Sequence, residues 1–168
     1  NDISELLVAT RSGRLWYTTE TEPGINCLSV EFDSESKNPP PANHFEHDPI
    51  DEKSIADNNI TDFIEDSAGH IWIGTGQNGI SFLSFVKSKF THHRYDQENE
   101  WGLKSDKIYS ITTMTDGMMW AATGFGLEML SPDGIREYDY EKSTLGVNYI
   151  IDLEIVNDEN LWVGTDQG

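Results

Sequence analysis

The chain has 168 residues, of which 11 are basic and 30 are acidic, so its formal net charge is −19. A surface this negative repels phosphate groups, and neither nucleic acids nor anionic membranes are expected partners. The single cysteine, Cys27, excludes an intrachain disulfide and a cysteine-based metal site. The sequence shows no apolar run as long as a membrane span and no signal peptide, and its first residues are not a natural start, so we expect a fragment of a longer protein.

Four tryptophans mark an internal repeat along the chain. Each is followed by Thr three residues later, and the anchors, spaced 42 to 56 residues apart, are Trp16, Trp72, Trp120 and Trp162. An apolar-rich stretch precedes each anchor at a constant distance, whereas the segments between copies vary in length. The pattern predicts two strands joined by a turn of fixed length, with the insertions confined to outer connections.

The second copy shows four predicted strands, here named a to d, at residues 60–66, 70–75, 80–86 and 90–95. Gly69 supplies the positive φ that the a–b turn needs. Strand b is apolar at three consecutive positions from Ile71 to Ile73, which is typical of a strand covered on both faces. In the third copy, Ser131 to Gly134 is a tight hairpin signal between strands c and d.

These features predict an all-β fold, namely a β-propeller with blades of four antiparallel strands. The copies lie at approximately 3–47, 60–95, 108–140 and 147–168, so about 3.5 blades are present and the propeller is incomplete. We expect the repeated tryptophans to fill the gaps between neighbouring blades instead of stacking on a sugar. Two chains that combine could complete the ring, which makes a homo-oligomer a possible partner.

The segment from Ile64 to Thr75, together with Gly79 and Ile80, resembles the two-component regulator propeller repeat. The fourth copy lacks the turn glycine, and the first and third copies carry Thr18 and Ala122 in place of the penultimate glycine. The resemblance implies a periplasmic sensor region of a membrane-anchored bacterial signalling protein. Its output would be a histidine kinase, a hybrid kinase or a diguanylate cyclase outside this chain, and some such propellers are similar to oligosaccharide sensors.

Ligand-binding residues are expected on the propeller face where the b–c turns and the d–a connections emerge. The candidates there are Gln77, Asn78, Trp101, Phe125, Asp166 and Gln167. Their amide, carboxylate and aromatic groups suit an oligosaccharide or another small polar ligand, although ordinary turn residues have the same composition. A second polar set falls ten residues before each anchor except the first, where Leu6 stands: Asp62, Ser110 and Asp152. These side chains line the central channel or bond to adjacent backbone.

No cofactor, metal site or catalytic residue is predicted. His92 and His93 are adjacent on a strand and point to opposite faces, and no histidine–carboxylate set has metal-ligand spacing. The sequence shows no nucleophile–base signature, so we expect a module that is not an enzyme. The alternatives that remain are a protein-interaction or dimerisation scaffold without a small-molecule ligand and, less favoured, a propeller lyase.

Overall fold

The computed structural model describes residues 3–9, 13–29, 42–84, 89–99, 102–131, 133–138, 145, 149–157 and 160–167. These residues form strands and turns only, and they include no helix that could cross a membrane. The fourteen strands are β1 (Ile3–Ala9), β2 (Arg14–Thr19), β3 (Ile25–Ser29), β4 (Ala42–Phe45), β5 (Ile60–Glu65), β6 (Ile71–Thr75), β7 (Ile80–Ser84), β8 (Lys89–His93), β9 (Ile108–Thr113), β10 (Met119–Thr123), β11 (Leu127–Ser131), β12 (Gly134–Tyr138), β13 (Ile150–Asn157) and β14 (Asn160–Thr165).

Consecutive strands pair into antiparallel sheets that correspond to propeller blades. Strands β1–β4, β5–β8 and β9–β12 form three four-stranded sheets, here blades 1 to 3, and β13 pairs with β14 as a half-blade. Strand β9 packs against both β5 and β13, so the first strand of each blade lies on the inside of an open arc. The predicted all-β, incomplete propeller of about three and a half blades is confirmed.

The a–b hairpin has the same register in every copy, as the constant spacing predicted. The partners of the four tryptophans across the hairpin are Val8, Ile64, Thr112 and Glu154. Gly69 has φ +84° in the a–b turn of blade 2, and the equivalent glycines of blades 3 and 1 have similar values. A side chain is disfavoured in this left-handed region, which explains the recurrence of glycine there.

The threonine that follows each tryptophan caps the turn between strands b and c. In blade 2 the Thr75 hydroxyl donates to the Gly79 carbonyl at 2.8 Å and accepts the N–H of Asn78 at 3.1 Å. The threonines of the other copies, Thr19, Thr123 and Thr165, each accept a backbone N–H of their own turn through the hydroxyl oxygen. All four copies thus use the threonine hydroxyl at the start of the turn, with the donor three residues on in blades 1 and 2 and two residues on in blade 3 and the half-blade.

Apolar clusters lie between successive blades. Trp16 of blade 1 is fully buried among residues of blade 2, including Ile71 and Ile73. Trp72 packs in the same way on the cluster shared by blades 2 and 3, and Trp120 packs on the cluster shared by blade 3 and the half-blade. The tryptophans therefore fill the gaps between blades, as predicted.

Candidate functional site

In blades 2 and 3 and in the half-blade, one edge joins the b–c turn to the start of the first strand. The N–H of Gly76 donates to the carbonyl of Asn59 at 3.0 Å, and the N–H of Gly124 donates to the carbonyl of Lys107 at 2.8 Å. Asp166 makes the same bond in the half-blade at 3.4 Å. The carbonyl acceptors lie immediately before the inner strands, so the b–c turns and the d–a connections meet on one propeller face.

A cleft of about 450 Å³ opens on this face between the connection that enters blade 3 and that blade's b–c turn. Its walls are formed by Tyr95, Gln97, Lys104, Ser105, Asp106 and Phe125. Tyr95 and Phe125 are 46% and 43% exposed, although both are large aromatic side chains. Exposed aromatic rings beside hydroxyl, amide and charged groups can contact both the apolar and the polar parts of a small molecule.

The connection that forms most of the cleft is fixed by Asp106. Its carboxylate accepts the N–H of Tyr95 at 2.6 Å, which closes the connection on itself. Its backbone carbonyl accepts the N–H of Gly79 at 2.8 Å, and this bond ties the connection to the b–c turn of blade 2. The Ser105 hydroxyl accepts the N–H of Lys107 at 3.1 Å. These bonds hold the cleft walls before any ligand arrives, which lowers the entropic cost of binding.

Of the residues expected to bind a ligand, Phe125 lines this cleft. Gln77 and Asn78 lie exposed on the b–c turn of blade 2, where the Asn78 amide donates to Asp57 Oδ2 at 3.0 Å. Asp166 and Gln167 are exposed on the turn of the half-blade and do not line the cleft. Trp101 lies outside the described residues.

Sequence reasoning named Phe125 on the b–c turn and, through Trp101, pointed to the connection, but it named none of the lining residues that the connection supplies. Tyr95, Gln97, Lys104, Ser105 and Asp106 all lie in or next to that connection. Their only signal was the length of the connection, because inserted segments on a rigid scaffold are where binding residues concentrate.

A second aromatic group lies at the start of the inner strands on the same face. The Lys107 ammonium lies 4.8 Å from the ring centre of Tyr109, and the Tyr109 and Tyr149 rings are 5.3 Å apart. Hydrogen bonds from Lys107 and Tyr149 lower the pKa of Tyr109. Since Gly124 is bonded to the Lys107 carbonyl, this group adjoins the turn that carries Phe125.

The polar set on the inner strands forms a hydrogen-bonded row across three sheets. The buried Ser110 hydroxyl lies 2.9 Å from Asp62 Oδ2 and 3.2 Å from Asp152 Oδ1. It carries one proton, so it donates to one carboxylate at a time. Asp62 also accepts the N–H of Ile111 at 2.7 Å and that of Phe63 at 2.8 Å. The row thus bonds adjacent backbone, one of the two roles considered for it, and links blades 2 and 3.

Burial raises the pKa of Asp62. Hydrogen bonds from Ile111, Ser110 and Phe63 act in the opposite direction, and the negative charge of Asp152 adds to the rise. A nearby negative charge disfavours the ionised form of a buried carboxyl group in the same way as burial does.

Two histidines, His92 and His44, make hydrogen bonds between the third and fourth strands of their blades. His92 lies 3.2 Å from the Ser81 hydroxyl, and His44 lies 3.0 Å from Asn26 Oδ1 at the same position of blade 1. Among the described residues no three histidine, cysteine, aspartate or glutamate side chains come close enough to hold a metal ion. The absence of a metal or cofactor stays a prediction.

Comparison with known families adds a direct sequence match to this geometry. Residues 54–77, which include the a–b hairpin of blade 2, match the family model described as two component regulator propeller. The predicted resemblance is confirmed. No curated protein matches the chain.

Solved structures share the fold. The extracellular domain of BT3049 from B. thetaiotaomicron, described as a hybrid two component system, superposes with a TM-score of 0.74 at 20% identity, over 96% of this chain and 22% of that one. PorZ, a surface component of the type-IX secretion system of Porphyromonas gingivalis, gives 0.73 at 21% identity, over 96% and 24%. Virginiamycin B lyase from Staphylococcus aureus gives 0.65 at 19% identity, over 95% and 48%. The chain spans about a quarter of the length of the first two structures.

Proposed function

We propose that this chain is a ligand-binding propeller module in the extracytoplasmic sensor region of a bacterial membrane signalling protein. The two component regulator propeller match in blade 2 and the fold shared with the BT3049 extracellular domain support this assignment. The module is periplasmic and belongs to an inner-membrane protein whose kinase or cyclase output lies outside this chain. The module itself is not an enzyme.

The cleft beside blade 3 is the observation that carries the proposal. It combines two exposed aromatic rings, Tyr95 and Phe125, with polar groups fixed by backbone hydrogen bonds. The ligand is an oligosaccharide or another small polar molecule, since a sugar ring offers an apolar face to aromatic side chains and hydroxyls to Gln97, Ser105 and Asp106. The chain's charge of −19 favours neutral ligands over strongly acidic ones.

A thermal-shift screen of the chain against neutral and acidic oligosaccharides tests this function. A ligand at 100 times its Kd stabilises the folded state by about 2.7 kcal/mol and raises the melting temperature. Tyr95→Ala and Phe125→Ala remove the aromatic walls and are each expected to abolish the shift. Gln77→Ala is the matched control, because Gln77 occupies an exposed b–c turn but does not line the cleft.

Two outcomes would refute this proposal. One is that no member of the panel raises the melting temperature of the unmodified chain. The other is that Gln77→Ala removes the shift as completely as Phe125→Ala does, which would place binding outside the cleft.

A protein-interaction scaffold is the second candidate, and exposed apolar residues of the half-blade favour it. Trp162 is 70% exposed, and Val156 and Ile151 are 56% and 48% exposed. Exposed apolar surface of this kind is typical of a protein interface. Sedimentation distinguishes the candidates: a dimer that Trp162→Ala dissociates supports the scaffold and a homo-oligomer, whereas a monomer at all concentrations argues against both.

A further inference from the structure

The second residue of each third strand is a buried polar side chain. Asn26, Ser81 and Glu128 occupy this position in blades 1, 2 and 3, each opposite the residue that follows the anchor tryptophan. They are 3%, 0% and 0% exposed. Polar groups buried to this degree are expected to have hydrogen-bond partners that repay their desolvation.

In blades 2 and 3 that partner is the connection that enters the blade. The Ser81 hydroxyl accepts the N–H of Ala56 at 3.0 Å. The Glu128 carboxylate accepts the N–H of Lys104 at 3.0 and 3.3 Å. Ala56 and Lys104 both lie four residues before the first strand of their blade. The buried polar residue on the third strand therefore holds the incoming connection in place.

Glu128 bonds to both sides of the cleft, whereas Ser81 bonds to Ala56 of its own connection and to His92 of blade 2. Lys104 belongs to the wall formed by the connection. On the other side, the Thr123 hydroxyl donates to Glu128 Oε1 at 2.8 Å, and the same hydroxyl oxygen accepts the N–H of Phe125 at 3.2 Å. A continuous chain of hydrogen bonds thus runs from one wall, through the buried carboxylate, to the aromatic wall.

We propose that Glu128 is a positioning residue that sets the separation of the two cleft walls and thereby the shape of the ligand site. The inference rests on the proposed function in one respect, because the proposed function assigns a ligand to this cleft. A glutamate side chain is longer than a serine, so it can reach a connection that lies farther from the third strand than serine can reach. Full burial fixes its rotamer, which makes the separation well defined.

Burial raises the pKa of Glu128, and the nearby negative charge of Glu137 acts in the same direction. The hydrogen bonds from Lys104 and Thr123 and the positive charge of Lys104 oppose this rise. Lys104 lies on the incoming connection and Glu137 lies opposite on β12. Glutamine has the same shape and keeps one acceptor oxygen, which makes Glu128→Gln a conservative variant.

Amide hydrogen exchange on the ligand-free chain tests the positioning role directly. Glu128→Ala removes the acceptor of the Lys104 N–H, so exchange at Lys104 is expected to accelerate at least about tenfold. Glu128→Gln keeps an acceptor oxygen and is expected to restore slow exchange. Ser81→Ala is the matched control: it removes a buried acceptor at the same register position, and it should accelerate exchange at Ala56 while leaving Lys104 unchanged.

Glu128→Ser is the second variant in case the alanine protein does not fold, because blade 2 already accommodates serine at this position. Its side chain is too short to reach the connection in its present place, so fast exchange at Lys104 is again expected. Unchanged exchange at Lys104 in the folded alanine or serine variant overturns the inference, and so does equal acceleration in Ser81→Ala.

Binding then separates this inference from the proposed function. For any oligosaccharide that stabilises the unmodified chain, Glu128→Ser is expected to weaken affinity at least about tenfold, with Glu128→Gln close to the unmodified chain. If Lys104 exchange responds as expected but no oligosaccharide binds, the positioning role stands and the ligand assignment fails. If a ligand binds and Glu128→Ser leaves its affinity unchanged, the positioning role fails and the ligand assignment stands.

Discussion

Complete blades and the half-blade are built from the same repeat. Equivalent residues nevertheless have different environments at the junction of two complete blades and in the half-blade. Trp16 is fully buried between blades 1 and 2, whereas Trp162, in the same register of the repeat, is 70% exposed. Among the described residues, Asp62 bonds two backbone N–H groups, one of them in the next blade, whereas Asp152 bonds one backbone N–H, within its own strand. Each blade is covered on one face by the next blade. The contribution of a repeat position to stability therefore depends on whether that neighbour covers it.

The tryptophan pair should show the largest difference. Trp16→Ala is expected to lower the free energy of unfolding by about 3–5 kcal/mol, because it empties a fully buried site between blades. Trp162→Ala is expected to change it by less than about 1 kcal/mol, since a mostly exposed side chain has little packing to lose. Urea unfolding of both variants measures the contrast, and equal losses would show that the half-blade is covered in solution.

The aspartate pair should show a smaller difference in the same direction. The Asp62 carboxylate accepts from Phe63, Ile111 and Ser110, so an asparagine amide must oppose one of these donors. We expect Asp62→Asn to cost about 1–3 kcal/mol. In Asp152 the bonds to Leu153 and Ser110 use the same oxygen, so asparagine can keep both, and a cost below about 1 kcal/mol is expected.

Urea unfolding of Asp62→Asn and Asp152→Asn measures both losses of free energy of unfolding. Equal losses of free energy of unfolding in the two variants would mean that the hydrogen bond between Asp62 and Ile111 does not stabilise the junction. A larger cost for Asp152→Asn than for Asp62→Asn would reverse the assignment of the stronger link to blades 2 and 3.

The smallest expected effect is a pH dependence of the free energy of unfolding, which arises because Glu128 is buried in a complete blade. The pKa of Glu128 is raised in the folded chain, so the unfolded chain loses this proton first as pH rises. The stability contributed by the protonated group is full below about 4.5, the ordinary value, and declines as pH rises through the folded value. Glu128→Gln lacks this decline, and its stability relative to the unmodified chain is expected to grow with pH over that window.

Chemical unfolding at a series of pH values measures the difference. A stability difference between Glu128→Gln and the unmodified chain that stays constant across the window would contradict the raised pKa of Glu128.

The sequence alone determined the blade and its hairpin, because these depend on local patterns. The constant distance between the inner strand and each tryptophan fixed the a–b register, and Gly69 marked the positive φ of the turn. The alternation of short apolar runs and turn signals is sufficient to specify strands that pair with their neighbours in the chain. The same local pattern carried the family resemblance that residues 54–77 confirm.

Only the tertiary structure decided which residues meet across blades. Asp62 and Ser110 are 48 residues apart. Each lies ten residues before its tryptophan, but this periodicity does not predict that the two side chains share a hydrogen bond. The cleft depends equally on long-range placement, since Glu128 on a third strand fixes Lys104 in a connection 24 residues earlier. Spacing specifies contacts within a blade, whereas contacts between a blade and its neighbours depend on how the arc brings the sheets together.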